Sequence, residues 1–232
     1  MDPVAIFRHS PGEGPGYFAT FLEARSLPWT LVRVDEGAPV PPSPDGFSGL
    51  CFMGGPMSVN DDLPWIPPVL ELIRRAVAEG VPVIGHCLGG QLMSKALGGR
   101  VTRNPVKEIG WGTVGTVGAG GDWLPATPPF EAFHWHGETF TIPDGATRIL
   151  ESRFCPNQAF VLGPHLGMQC HVEMTEAMIR EWCAVGAEEI AAAQSPAVQT
   201  PEAMIALNGA NLPPLNRAAE RLYSRWIEGL RG

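Results

Sequence analysis

The sequence predicts a single α/β domain of the flavodoxin-like, doubly wound kind over residues 1–232. Its central sheet is expected to be mostly parallel, with helices on both faces and a small antiparallel β extension. Three observations carry that expectation. The first hundred residues alternate short apolar runs with helix-periodic stretches in the order β-α-β-β-α-β-α, the pattern left by parallel strands joined by crossover helices. The apolar run 81–84 passes at once into Gly85-His86-Cys87-Leu88-Gly89 and then into a helix, a strand–turn–helix corner. Beyond residue 100 the helical period gives way to short strand-like runs.

Taken in order, residues 4–7 form a first strand. Residues 10–16, SPGEGPG, form a loop whose glycines lack the last position of the dinucleotide fingerprint, so no nucleotide is expected there. Residues 17–25 place Phe18, Phe21 and Leu22 on one helical face. A second strand covers 30–34. A third covers 49–53 and ends in Gly54-Gly55-Pro56. Pro67 and Pro68 suit the first turn of a helix, which Gly80 closes. The strand and corner at 81–97 follow.

Residues 110–118 read as short strands, 118–129 as a Gly/Pro loop, and 133–140 as a strand edge with two histidines. Residues 160–161 and 166–170 read as a hairpin running into His171-Val172-Glu173. Helices are expected at 175–185, weakly at 187–193, and at 214–230, where Ala218, Leu222, Trp226 and Leu230 recur every fourth residue. The stretch 186–212 reads as a mobile surface helix and loop, a lid or a docking surface.

With 232 residues the chain can bury a substantial core. Its 24 acidic against 16 basic residues give a net charge of −8, and no basic run occurs. Nucleic acid and anionic membrane are therefore not expected as partners. Five cysteines, at 51, 87, 155, 170 and 183, are odd in number and contain no CxxC. Neither a disulfide framework nor a zinc ribbon is indicated. The N-terminus lacks a signal-peptide pattern, and no apolar run approaches the ~20 residues that span a bilayer. The expected setting is cytoplasmic.

The corner carries the chemistry. Gly85 and Gly89 remove side chains where the turn crowds the backbone. Cys87 would stand above the sheet edge at a helix N-terminus, where the dipole favours the nucleophilic thiolate. A cysteine nucleophile needs a base, and the base needs an orienting group. Two His-x-carboxylate pairs qualify, His136-Gly137-Glu138 and His171-Val172-Glu173. In extended chain, residues i and i+2 face the same side, so spacing alone does not choose between them. Gly137 weakens the strand geometry of the first pair. The second follows a cleaner apolar run and precedes a helix, so it is favoured. The Leu88 N–H can donate to a developing oxyanion, and Gly55 in the turn of the adjacent strand can supply a second donor. Gln91, one helical turn past Cys87, can present its carboxamide to a substrate. His134 and His136 find no third metal ligand at local spacing, so no metal is expected. The other cysteines read as packing residues, with Cys170 the one whose exposure matters.

GGPMS at 54–58, GHCLGGQ at 85–91 and the late His-x-Glu together resemble the class I, triad-type glutamine amidotransferases. FHWHGETF at 133–140, PMSVND at 56–61, PWI at 64–66 and EIGW at 108–111 are similar to stretches of the stand-alone, GMP-synthase-like subgroup. The likeness runs from about residue 4 to 180. It implies that Cys87, His171 and Glu173 form the triad and that Gly55 and Leu88 make the oxyanion hole. It also implies that Gln91, His136 and Gly54 border the glutamine pocket. No metal or organic cofactor is implied. Where the family usually has Phe-His-Pro-Glu, this chain has Cys170-His171-Val172-Glu173, losing the fixed φ of proline after the base. It carries no SGGxDS-type synthetase loop and no P-loop.

The function implied is glutamine amide hydrolysis, with ammonia passed to a separate acceptor or synthetase protein. A γ-glutamyl peptidase acting on γ-glutamyl peptides such as glutathione would use the same triad. A non-catalytic regulatory module on this fold is the reading from another class.

Overall fold

The structure, a computed structural model, describes residues 1–118, 122–125 and 127–232. Its parallel half is built from β1 (Val4–Arg8), α1 (Gly16–Ala24), β2 (Trp29–Arg33), β3 (Gly49–Phe52), α2 (Ile66–Glu79), β4 (Val83–His86) and α3 (Leu88–Ala96). β1 pairs in parallel with β2 and β3, and β3 with β4. Strand alternation explains why both faces are covered. Val4 and Ile6 enter one apolar cluster, with Phe18, Phe21 and the later helices. Ala5 and Phe7 enter the other, with Val69, Leu72, Leu92 and Met93 of α2 and α3. A period of two thus splits each buried strand between two cores.

The rest of the chain makes β5 (Val101–Thr116), β6 (Phe130–Phe140), β7 (Thr147–Ser152), β8 (Ala159–Leu162), β9 (His165–Met168), α4 (Glu176–Val185), α5 (Ala187–Ala192), β10 (Ala197–Val198) and α6 (Pro201–Ile227). Across the sheet the order is β10-β5-β7-β8-β9-β4-β3-β1-β2, with β6 on β5. β9 is the joint: it runs parallel to β4 and antiparallel to β8. The sheet is open, and no described helix is long and apolar enough to cross a membrane.

Four expectations need correction. The short strands expected at 110–118 belong to one strand of 16 residues, β5. Its register on β6 shifts between Arg103 and Glu108, and Gly110 takes φ 112°; these irregularities interrupt the apolar period. Strand β7 was not expected at all. The final helix begins at Pro201 and not at residue 214, with Pro213 and Pro214 inside it. A proline pair normally marks a helix start, but here the first half is anchored by Trp111 Nε1, which donates to the Met204 carbonyl (3.0 Å). Finally, 186–212 holds more than the expected surface helix and loop. It contains α5, edge strand β10 on β5, and a turn in which Gln199 exchanges hydrogen bonds with both backbone groups of Trp111 (2.9 Å each). Of the loop expected at 118–129, residues 119–121 and 126 lie outside the described residues; Trp123 and Leu124 within it are buried in the first core.

Helix α3 descends onto the sheet through its glycines. A Cβ on Gly89 would collide with the Phe52 carbonyl oxygen, and one on Gly90 with that of Met168. The substitution Gly89→Ala is expected to cost about 2–3 kcal/mol by overpacking. In a chain of this size that lowers Tm by roughly 5–10 °C, read by a circular dichroism melt.

Candidate active site

The corner between β4 and α3 holds Cys87 at φ 50°, ψ −105°. Among the described residues only Ser26 joins it as a non-glycine residue with positive φ. Such a backbone costs about 1–3 kcal/mol and persists only where its surroundings over-determine it. Gly85 supplies one reason: a Cβ there would stand 2.6 Å from Gly90 N. The first helical bond runs from Gln91 N to the Cys87 carbonyl (3.0 Å), so the N–H groups of residues 88–90 lie in the unpaired first turn of α3. Gly55 lies close by, since a Cβ on it would come within 2.7 Å of Leu88 Cδ2. The two residues expected to donate to an oxyanion are therefore neighbours.

His171 emerges just past β9. Its backbone exchanges two hydrogen bonds with Phe133 of β6, His171 N to Phe133 O (2.8 Å) and Phe133 N to His171 O (3.3 Å). Trp182 packs edge-on against the ring at 4.9 Å between centroids. These contacts orient the imidazole without the proline that the resemblance led one to expect. Nδ1 meets Glu173 Oε1 at 2.6 Å, and both side chains are buried. The Glu173 carbonyl accepts from Tyr17 N at the start of α1 (2.7 Å). Burial works against a charged imidazole, but Glu173 and the nearby Cys87 outweigh it and hold the His171 pKa well above its ordinary value. Burial likewise pushes Glu173 up, yet His171 and His86 bring it down to about 2.

The other expected residues fall as follows. Gln91 is buried and its Nε2 donates to Gln169 Oε1 (3.1 Å), while Gln169 Nε2 donates to Cys87 Sγ (3.5 Å). Gln169 was not foreseen, although it stands two residues before His171 on the same alternation. His136 is not beside its own carboxylate. Its Nδ1 faces the Glu138 backbone carbonyl (3.0 Å) and its Nε2 the Glu108 carboxylate (3.1 Å); the Glu138 carboxylate accepts from Ser58 Oγ (3.1 Å). Among the described residues, Glu108, His136 and Cys155 place potential metal-ligating atoms within 4.8 Å of one another. Those of Glu108 already accept from Ser152 and Gln158 (3.0 Å each), so the three residues belong to a buried polar network.

Residues 19–180 match the family model for glutamine amidotransferase class I. The chain belongs to the class I glutamine amidotransferases. It is 34% identical over 196 residues to the glutamine amidotransferase-like protein YfeJ of Salmonella typhimurium, covering 80% of this chain and 82% of that one. It is 36% identical over 134 residues to the glutamine-hydrolysing GMP synthase of Lactobacillus acidophilus, covering 54% of this chain and 24% of that one. The chain therefore spans about a quarter of that synthase. A crystal structure of a glutamine amidotransferase from Methylobacillus flagellatus superposes with a TM-score of 0.96 at 48% identity, covering 100% of this chain and 96% of that one. A glutamine amidotransferase from Thermotoga maritima gives 0.88 at 25% identity, with 98% of each chain covered.

In this amidotransferase a cavity of ≈1000 Å³ opens over Cys87. Gly55, Gln91 and His136 line it, and it runs outward past Trp135 and Glu189 to Ser195. Gly54 backs the cavity wall, facing Glu13 and His171. The remaining cysteines are buried. Burial raises the thiol pKa of Cys51, Cys155, Cys170 and Cys183.

Glu173 sets an acid limit on stability. Its folded pKa of about 2 lies below the ordinary 4.5. Its stabilisation is therefore present above about pH 4.5 and lost as pH falls from there toward 2. Glu173→Gln is expected to give a shallower acid limb in a plot of Tm against pH, together with a lower Tm at neutral pH.

Proposed function

We propose that the chain hydrolyses the γ-amide of glutamine through a γ-glutamyl thioester on Cys87. The observation that carries this reading is the 2.6 Å His171–Glu173 pair beside a strained cysteine that opens onto a cavity. In this mechanism Cys87 passes its thiol proton to His171 and its sulfur attacks the γ-carboxamide carbon. Gly55 and Leu88 N–H groups stabilise the oxyanion, an effect worth ~2.7–4 kcal/mol per donor in other acyl-transfer sites. His171 gives its proton to the leaving nitrogen as the C–N bond breaks and ammonia departs. A water, deprotonated by the same imidazole, then cleaves the thioester to glutamate and regenerates the thiol. Glu173 holds the imidazole's tautomer and direction. Gln91, His136 and Gly54 border the substrate. Ammonia passes on to an acceptor; the Lactobacillus acidophilus relative, of which the chain matches about a quarter, is a glutamine-hydrolysing GMP synthase.

A γ-glutamyl peptidase is the second reading, favoured by the size of the cavity. At ≈1000 Å³ it sits at the top of the ~300–1,000 Å³ range that holds drug-sized ligands. A leaving group larger than ammonia would have room toward Trp135 and Ser195.

Ammonia and glutamate release by the purified chain, with glutamine and a γ-glutamyl dipeptide offered in parallel, separates these readings. Glutamine turnover that disappears in Cys87→Ala is expected. Turnover of the dipeptide alone would give the peptidase reading, and no turnover of either would give the regulatory module. His171→Ala is expected to lower kcat by at least about 10³-fold, whereas His136→Ala mainly raises KM. The reverse pattern would exchange their roles.

A further inference from the structure

One more carboxylate faces the proposed site. Glu13 lies in the loop between β1 and α1 and lines the same cavity as Cys87. The loop is fixed at several points. Glu13 N bonds to the Ser10 carbonyl (3.0 Å), and the Gly12 carbonyl accepts from Trp182 Nε1 (2.8 Å). At its far end Tyr17 N bonds to Glu173 O. The carboxylate rests against Gly54. A Cβ on Gly54 would collide with Glu13 Oε2, and the same Cβ would stand 3.3 Å from His171 Cε1. Carboxylate and imidazole therefore both approach the space that a side chain on Gly54 would fill, and the charge of His171 acts on Glu13. Glu173 holds the Nδ1 side of the ring; Glu13 is at the Cε1 edge.

We propose that Glu13 is a second carboxylate partner of the His171 imidazole, a positioning residue that stabilises the imidazolium from its Cε1 edge. This rests on the reading of Cys87, His171 and Glu173 as the reacting unit. The Cε1–H of an imidazolium carries part of the positive charge, and a carboxylate against that edge favours the charged ring. Burial pushes the Glu13 pKa up to about 7, with His171 pulling it down and Glu173 pushing it up. The charge it presents to His171 therefore changes within the working pH range. The same cavity is also lined by Cys87 at the start of α3, Glu181 of α4, Arg103 and Lys107 of β5, His136 and Glu138 of β6 and Glu189 of α5, and His9 just past β1 packs near Gly55. His9 is driven down to about 4 by burial and stays neutral at pH 7. As pH rises through 7, Glu13 ionises and holds the proton on His171 more firmly. Below 7 the imidazolium has Glu173 as its one adjacent carboxylate charge.

The test follows the His171 Cε1–H resonance by NMR across pH 5–9 in full-length protein labelled on histidine, assigned by its loss in His171→Gln. The wild type is expected to show an inflection near pH 7, and Glu13→Gln is expected to lose it. Glu13→Asp, which draws the carboxylate back, should shrink it and keeps the test open should Glu13→Gln fail to fold. Absence of the inflection in the wild type, or its persistence unchanged in Glu13→Gln, would overturn the proposal. A His171 titration that does not respond to Cys87→Ala would instead count against the Cys87–His171 pairing, whatever Glu13 does.

Discussion

The strained backbone of Cys87 is the constraint on which the rest of the site depends. At φ 50°, ψ −105° the chain leaves β4 and enters α3 within one residue. Unsupported, it would relax. The support is steric: Gly85, Gly89 and Gly90 let α3 press onto the carbonyls of Phe52 and Met168, at the ends of the two strands that flank β4. The strand order thus sets the geometry of the site. β3 carries the Gly54-Gly55 turn to one side of Cys87, and β9 carries His171 and Glu173 to the other.

The antiparallel half has a second task, to hold the His171 imidazole, the proposed base. His171 is pinned through its backbone to Phe133 of β6 and through its ring to Trp182 of α4. Glu173 is fixed from above by Tyr17 and from below by a buried polar layer, in which His86 Nε2 lies 3.0 Å from Tyr223 Oη and 3.9 Å from Glu173 Oε2. An ion pair this deep costs desolvation that its own attraction offsets only with good geometry and further polar support. Tyr223 brings α6 into that support, so the C-terminal helix braces the site from beneath.

Much of this was legible in the sequence because the parallel half is written in strict alternation: Val4 and Ile6 face one core, Ala5 and Phe7 the other. The cysteine corner was legible because glycine flanks it on a strand-to-helix boundary. What stayed hidden depends on distant partners. His136 pairs with Glu108, one strand away, and no local spacing reports that. Pro213 and Pro214 disguised the first half of α6, which tertiary bonds to Trp111 hold in place. Gln169 shares the period-two alternation of His171 and Glu173, but only with β9 beside β4 does its amide meet Cys87. The loop 10–16 lacks a nucleotide fingerprint, and its glutamate is recognisable only once the loop is folded against Gly54.

The proposed hydrolysis passes through a covalent intermediate on Cys87, resolved by His171. Intact-mass spectrometry of the full chain, quenched in acid milliseconds to seconds after mixing with glutamine, tests it most directly. The account predicts a transient glutamyl adduct that peptide mapping assigns to Cys87, absent in Cys87→Ala. Glutamine turnover with no adduct at any time point, or with the adduct on another residue, would contradict it.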